Sequence, residues 1–423
     1  MQRFSIILVL IATLICNVFL CTANAEEVLT WENCLSEAAK NNPDLISAGE
    51  DISQAQAQKA IAASGLFPQT SADLGATRSE RSGETSDSYS YGVSGSQLLF
   101  DGFQTTTSVN AAAENINATR HQYRFTSSQI RFSLRSAFAQ LLYAQELVVV
   151  TEEIVKIRRD NLILITLSYE SGLENKGALL TDQANLAEAE FERARALRNL
   201  EVAQRQLLTE MGRSEWTPIR IQGDFTIAQT NLEKPDFLSI AKNNPSLQQW
   251  IAKENVAALG IKSAYANFFP TVSAQAGAGK TGPHFLPDHD QWNIGLSLSV
   301  PLFEGGLKAA QVDQAKAVLR QAQAKKRSAH NSILATLEQA WASLQDAAQD
   351  VEVQQKILLA AQERSKIAEA QYGIGFISYD NWTIIEDNLV QYKKAYLNAQ
   401  LKALIAEAQR SEERRVGKEC RSR

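Results

Sequence analysis

Residues 130–170 read IRFSLRSAFAQLLYAQELVVVTEEIVKIRRDNLILITLSYE. Alternate steps of four and three from Ile130 pick out Leu134, Ala137, Leu141, Ala144, Val148, Thr151, Val155, Arg158, Leu162, Ile165 and Tyr169. All but Thr151 and Arg158 are apolar. A 3.5-residue spacing keeps one stripe of a helix facing a partner, which is a coiled-coil seam. No proline or glycine interrupts residues 105–170, so the spacing predicts one continuous helix. Roughly 65 residues at 1.5 Å each make a rod of about 100 Å. Adding 203 to each number gives a second seam: Ile333, Leu337, Ala340, Leu344, Ala347, Val351, Gln354, Leu358, Ala361, Ser365, Ala368 and Tyr372. The chain carries its long helix twice, and two halves of about 200 residues read as copies of one unit.

Other landmarks keep an offset of 202 or 203. Asn243-Asn244-Pro245-Ser246-Leu247 answers Asn41-Asn42-Pro43-Asp44-Leu45, Phe269-Pro270 answers Phe67-Pro68, and Gly375 answers Gly172. The first repeat spans 26–212. Its interrupted helical stretch to Ala63 has Asn42 or a neighbour as cap; a strand pair follows at 69–100, then a hairpin of helices at 105–211 closed by Gly212. Within the pair, the expected strands are 69–78 and 88–100 around a polar loop, Ser79 to Asp87. An irregular equatorial linker fills 213–242. The second repeat spans 243–410, with a strand pair at 271–302 (strands 271–279 and 290–302) and a hairpin at 305–410. Residues 411–423, SEERRVGKECRSR, are rich in Arg and Lys and lack the heptad. They read as a non-native tail, and Cys420 is given no role.

Residues 1–25 read as a signal peptide: Arg3, a mostly apolar run from Ile6 to Leu20, and Ala23-Asn24-Ala25 as a small-x-small cleavage site. Lipidation at Cys21 ranks lower, because Leu20 is bulky where a small residue is expected. Cleavage after Ala25 leaves Cys34 and Cys420, which make no disulfide framework. The net charge of −5 and the lack of a basic stripe give no support for nucleic-acid binding. Aromatic residues are only 8%, which suits long helices better than a thick globular core.

The strand pairs set the environment. Trp292, Ile294, Leu296, Leu298 and Val300 alternate with Asn293, Gly295, Ser297 and Ser299; Tyr89, Tyr91 and Val93 alternate with Ser90, Gly92 and Ser94. A soluble sheet would bury its apolar face, yet the adjoining helices run away as rods. A membrane-spanning strand needs about 9–11 residues of this alternation, with aromatic residues near its ends. Four strands cannot close a barrel, because an open edge in lipid is untenable and bacterial barrels need at least about eight strands. The chain must therefore oligomerise. The expected fold is mainly α with membrane β: long antiparallel coiled-coil hairpins plus four transmembrane strands per chain.

These features together resemble the outer membrane efflux protein (TolC) family of Gram-negative bacteria. The resemblance runs from Glu26 to Arg410. It rests on the paired Asn-Asn-Pro openings, the Phe-Pro before each first strand, the turns Leu99-Phe100-Asp101-Gly102 and Leu302-Phe303-Glu304-Gly305, and the two hairpin tips. It implies a homotrimer with a 12-stranded barrel in the outer membrane and an α-helical tunnel in the periplasm. It also implies an exit duct for tripartite efflux or type I secretion, docked to a periplasmic adaptor and an inner-membrane transporter. Two other classes fit part of the chain, a structural coiled-coil envelope protein and a periplasmic adaptor. The spanning strands and the second hairpin argue against both.

The resemblance puts adaptor docking at the tips, on Ser171, Gly172, Leu173, Ile374, Gly375 and Phe376. The acidic positions that narrow the family's periplasmic entrance are Asn381 and Ile384 here, so Asp380, one residue off, is the fallback gate residue. Tyr89, Tyr91, Val93, Trp292, Ile294, Leu296 and Leu298 are expected to face lipid. His284, Asp288, His289 and Asp290 cluster in one loop but lack a metal-ligand spacing, so no metal or other cofactor is expected. His121 and His330 are isolated on helices. No phosphate loop, nucleophile elbow or catalytic set occurs, and no enzyme activity is expected.

Overall fold

The computed structural model describes residues 27–225 and 234–418, with side chains as far as Glu412. The expected signal segment with Arg3 and Cys21, and Cys420, lie outside the described residues. In chain order the elements are β1 (Glu27–Leu29), α1 (Trp31–Asn41), α2 (Pro43–Ser64), β2 (Gln69–Arg81), β3 (Glu84–Phe100), α3 (Gln104–Glu170), α4 (Lys176–Met211) and β4 (Ile219–Ile221). Then come α5 (Phe237–Lys242), α6 (Pro245–Ala266), β5 (Thr271–Gly282), β6 (His289–Ser299), α7 (Leu307–Gly373) and α8 (Tyr379–Lys418). The two long helices, α3 and α7, are each 67 residues and begin at 104 and 307, the same offset as the seams. Their seams are where the packing is. Leu134, Ala137, Leu141, Ala144, Thr151, Val155, Arg158 and Ile165 are buried in α3, and Leu337, Ala340, Leu344, Ala361, Ser365 and Ala368 in α7.

The chain forms two compact units, each drawing on both halves of the sequence. Among the described residues, one holds 27–46, 128–225, 234–235 and 338–413; the other holds 47–127, 236–337 and 414–418. In the first unit, Cys34 from α1, Leu134 and Leu141 from α3, Leu207, Leu208 and Met211 from α4, and Ile219 from β4 form one buried cluster. Burial pushes the Cys34 thiol up to about 11, so it packs as a small apolar group. The segments expected to be helical at residue 27 and irregular at 219 instead pair as parallel strands, Glu27 with Ile219 through Leu29 with Ile221. Three residues are too few to show a period. Arg213 joins this region by pairing with Glu27 at 2.6 Å and Glu37 at 2.5 Å. Asn42 is the expected cap: its Oδ1 accepts from the N–H groups of Asp44 and Leu45 at 3.0 and 3.1 Å, while its Nδ2 donates to the Glu210 carbonyl at 2.9 Å. Asn244 repeats the cap on α6. At the other end of the chain, α8 does not stop at Arg410. It runs on to Lys418, and the buried Glu412 pairs with Arg131 at 2.8 Å.

Gly212 ends α4 at φ +84°, and a Cβ there would lie 2.3 Å from the Asn41 carbonyl oxygen. Gly212→Ala therefore meets both a left-handed backbone, which costs about 1–2 kcal/mol, and a backbone clash that only movement of the α1–α2 junction relieves. We expect a lower thermal midpoint for this unit by circular dichroism. An unchanged midpoint would show that the contact is dispensable.

In the second unit, four strands form one antiparallel sheet in the order β2-β3-β5-β6. The two expected pairs are thus one sheet, joined across the repeat by β3 and β5. The expected polar loop at 79–87 is instead a two-residue turn. Ser82 and Gly83 both have positive φ, 56° and 86°, and the flanking residues pair from Arg81–Glu84 onward. Such a turn matches the twist of the strands, and backbone pairing needs no apolar side chain. The fourth strand begins at His289 and ends at Ser299, short of the expected Leu302, and Pro301 lacks the N–H that would continue a ladder.

Candidate functional site

Register decides which strand residues share a face. Leu74 lies opposite Tyr91, Ala76 opposite Tyr89, and Ala72 opposite Val93. Val93 lies opposite Ala278, which in turn lies opposite Trp292. Ala276, Ala274 and Val272 lie opposite Ile294, Leu296 and Leu298. One face therefore carries all seven expected residues, Tyr89, Tyr91, Val93, Trp292, Ile294, Leu296 and Leu298, joined by Leu74. The reverse face carries Asp73, Ser90, Gly92, Ser94, Gly277, Gln275, Asn293, Gly295 and Ser297. Leu74 is 89% and Leu296 76% exposed, and among the described residues no element of the second unit covers this face. A continuous apolar sheet face open to its surroundings is unstable in water and stable against hydrocarbon. The outermost strands, β2 and β6, each pair on one side alone. Within the β5–β6 turn region, His289 Nδ1 lies 3.0 Å from Asp288, and Lys280 pairs with Asp290 at 3.3 Å. Among the described residues, no group of three or more His, Cys, Asp or Glu is placed to hold a metal.

The tips belong to the first unit. α3 and α7 end alike. Gly172 and Gly375 adopt φ +75° and +73°, each donates back to the carbonyl three residues earlier (Tyr169, Tyr372), and the next residue donates back five (Leu173 to Ser168, Phe376 to Gln371). This is the Schellman stop, in which the residue after the glycine ordinarily packs on the residue five before it. Here those partners are Ser168 and Gln371, which offer no apolar surface. Leu173 and Ile374 are 80% exposed and Phe376 is 76% exposed, and Ser171 is exposed beside them.

Beneath the tips the chain is firmly packed. Ile165, Ala178, Ala368, Tyr379 and Trp382 bring together α3, α4, α7 and α8. Tyr372 stacks on Trp382 with ring centroids 4.6 Å apart. Its hydroxyl donates to Glu174 at 2.9 Å, and Tyr379 donates to Asp182 at 2.9 Å, so these two tyrosines of the second hairpin bond to the first. Arg158, at a seam position, pairs with Asp387, and Ser365 donates to Glu386 at 2.5 Å. These polar groups were not among the expected site residues. Their one trace in the sequence is the pair of polar residues, Arg158 and Ser365, at seam positions. Asp380 is exposed in the first turn of α8, where the helix dipole favours a carboxylate, and Asn381 and Ile384 beside it are exposed too.

Burial pushes the carboxyls of Asp182 and Glu386 above the usual carboxylate range; Tyr379 and Arg158 pull Asp182 part of the way back, and Ser365 and Arg158 do the same for Glu386. A carboxyl raised in the folded state binds its proton more tightly there than in the unfolded chain. Stability is then greatest below the ordinary carboxylate values and falls as pH rises through the raised ones. Amide exchange in the 365–390 segment, corrected for intrinsic rates, should therefore be slower at about pH 5 than at about pH 8. The difference should shrink in Asp182→Asn with Glu386→Gln. Faster exchange at the lower pH contradicts it.

The match to known proteins covers both repeats. The outer membrane efflux protein family matches residues 34–213 and 239–409. The outer membrane efflux protein BepC of Brucella suis biovar 1 (strain 1330) is 24% identical over 356 residues, 79% of this chain and 76% of that protein. The toluene efflux pump outer membrane protein TtgC of Pseudomonas putida is 25% identical over 389 residues, 87% of this chain and 79% of that protein. The fold is that of the Campylobacter jejuni CmeC outer membrane channel, with a TM-score of 0.80 at 17% identity over 91% of this chain and 85% of that one. Twin seams, twin tips and a sheet with one apolar face thus have a common explanation: the chain belongs to the outer membrane efflux protein family, an outer membrane protein of channel fold with its helices in the periplasm.

Proposed function

We propose that this chain is one third of a passive exit duct, conducting cargo that a periplasmic adaptor and an inner-membrane transporter deliver. The observation that carries the reading is the sheet: four strands, one apolar face, one small polar face and two unpaired edges. Edges in lipid must be paired, and copies of this chain can pair β6 of one with β2 of the next until the sheet closes. Three copies make twelve strands, within the range of bacterial barrels. The polar face of small residues then lines a water-filled lumen. Tyr89, Tyr91, Val93, Trp292, Ile294, Leu296 and Leu298 meet lipid. The reading gives the chain no catalytic role and no cofactor, and it leaves the energy source to its partners.

The tips supply the docking surface in this reading. Ser171, Gly172 and Leu173 on one hairpin and Ile374, Gly375 and Phe376 on the other hold three large apolar side chains on rigid stops. Asp380, with Asn381 and Ile384, lies just past the second tip and stands as the gate residue. Cargo is tested in the cell. Deleting the gene should raise retention of a hydrophobic dye, sensitivity to a toxic metal ion or retention of a secreted polypeptide, and deletion of the cognate transporter should give the same phenotype. A deletion strain that handles all three normally would count against an export role.

A further inference from the structure

The reverse face of the sheet is polar but nearly free of charge. Among the described residues of that face between Gln69 and Thr77, Ser88 and Leu98, Thr271 and Thr281, and Gln291 and Ser299, only Asp73 is ionisable. Strands disfavour aspartate, and serine or glycine serves at the positions around it, Ser71, Gly75, Gly92 and Ser94. The carboxylate is exposed yet held in place. Its Oδ2 accepts from the hydroxyls of Ser71 and Ser94, each at 3.3 Å, and those hydroxyls lie 2.9 Å apart. The row beside it is bare: Asp73 lies opposite Gly92, and Gly92 opposite Gly279, where a Cβ would lie 2.3 Å from the Tyr91 carbonyl oxygen. No side chain in that row of β3 and β5 therefore screens the carboxylate. The other two aspartates of the four strands are matched, Asp87 with Arg78 at 3.4 Å and Asp290 with Lys280 at 3.3 Å. Asp73 has its two hydroxyls and, among the described residues, no cation.

We propose that Asp73 sets the charge selectivity of the duct: contributed once by each copy, it makes a ring of fixed negative charge inside the membrane-spanning wall that admits cations in preference to anions. The proposal rests on the reading of the polar face as the lumen of a closed, twelve-stranded wall. β2 is an edge strand, so Asp73 stands beside the joint between copies. On the same side, β6 of the next copy brings Gln291, Asn293, Gly295 and Ser297, and a joint that sets Asp73 against any of them leaves its charge unpaired. The size of the wall suits the role. Twelve strands about 4.8 Å apart and tilted near 45° enclose a circle about 26 Å across, which puts inward carboxylates about 10 Å from the axis. That is about one Debye length at 0.1 M salt and about three at 1 M. Walls of low dielectric concentrate the field in the water between them. Three such charges enrich a monovalent cation on the axis about twofold at 0.1 M and deplete an anion as much, a preference of about fivefold that fades to about one at 1 M. The charges nearer the first turn do not substitute for the ring, because Arg81 lies opposite Glu84.

The test is the reversal potential of the full protein in planar bilayers of uncharged lipid at neutral pH, under a potassium chloride gradient centred on about 0.1 M and again on about 1 M. The native chain is compared with Asp73→Asn, Asp73→Lys and Asp380→Asn. The native channel should prefer potassium to chloride about fivefold in the dilute gradient and lose the preference in the concentrated one. Asp73→Asn should bring the dilute ratio to about one, and Asp73→Lys should turn the preference toward chloride, while Asp380→Asn keeps the native ratio. A native channel with no preference, or a preference that survives both Asp73 variants, overturns the selectivity role and leaves the duct intact. Loss of the preference in Asp380→Asn with retention in Asp73→Asn overturns it too, by moving the selective charge to the second tip. Absence of any channel current from the native chain overturns the duct and the ring together. Asparagine keeps the size of aspartate and an acceptor for the two serines, so Asp73→Asn decides the question if Asp73→Lys does not assemble.

Discussion

Replacing Leu173 and Phe376 together by aspartate should leave the protein folded, oligomeric and in the outer membrane, and should abolish its capture by the adaptor. The stops themselves are backbone bonds around Gly172 and Gly375, which the substitutions do not touch. Neither residue belongs to the packed cluster of Ile165, Ala178, Ala368, Tyr379 and Trp382 below. An aspartate in an apolar contact must shed its water without a partner, at a cost of about 2 kcal/mol or more for each. Two such costs weaken docking roughly a thousandfold. Crosslinking to the co-expressed adaptor should vanish while oligomer yield holds. Lost oligomer would make the tips structural, and retained crosslinking with retained export would place docking elsewhere.

The second large effect separates the faces of the sheet. Leu296 lies opposite Ala274 and Ser297 opposite Ser273, so the two neighbours in β6 face opposite sides of the sheet. Leu296→Arg puts a cation against hydrocarbon, costing about 2–4 kcal/mol near the bilayer midplane in each copy. Ser297→Arg puts the same cation in water. The heat-modifiable oligomer should disappear in Leu296→Arg and persist in Ser297→Arg with a narrower lumen. Equal yields from the two would falsify the assignment of faces.

Most of the architecture could be read from the chain because its signals are long. A heptad held over forty residues, within a run of more than sixty free of proline and glycine, and repeated at an offset of 203, specifies a helix more firmly than any local propensity. The stops at Gly172 and Gly375, the caps at Asn42 and Asn244, and the alternation in β3 and β6 rest on single-residue chemistry that needs no tertiary context. What the reading missed depended on partners distant in sequence. The β1–β4 pair joins residues nearly two hundred positions apart with three residues a side. The polar run from Ser79 to Asp87 reads as a loop, although pairing of the backbone around Ser82–Gly83 does not depend on side-chain polarity. Of the layer around Arg158, the buried carboxyls of Asp182 and Glu386 leave no signal of their own, because a carboxylate on a helix looks solvated until a neighbouring helix covers it. The sheet face shows the opposite case, where alternation alone places seven residues on one face and register only has to align them.

The central claim is that the four strands are a fraction of a closed wall, and the mass of the assembly tests it most directly. Native mass spectrometry of the full protein, extracted from the outer membrane in mild detergent, should give three times the mass of the unfolded chain, with boiling needed to release single chains. A folded monomer, or a number of copies whose strands cannot close a barrel, would contradict the account.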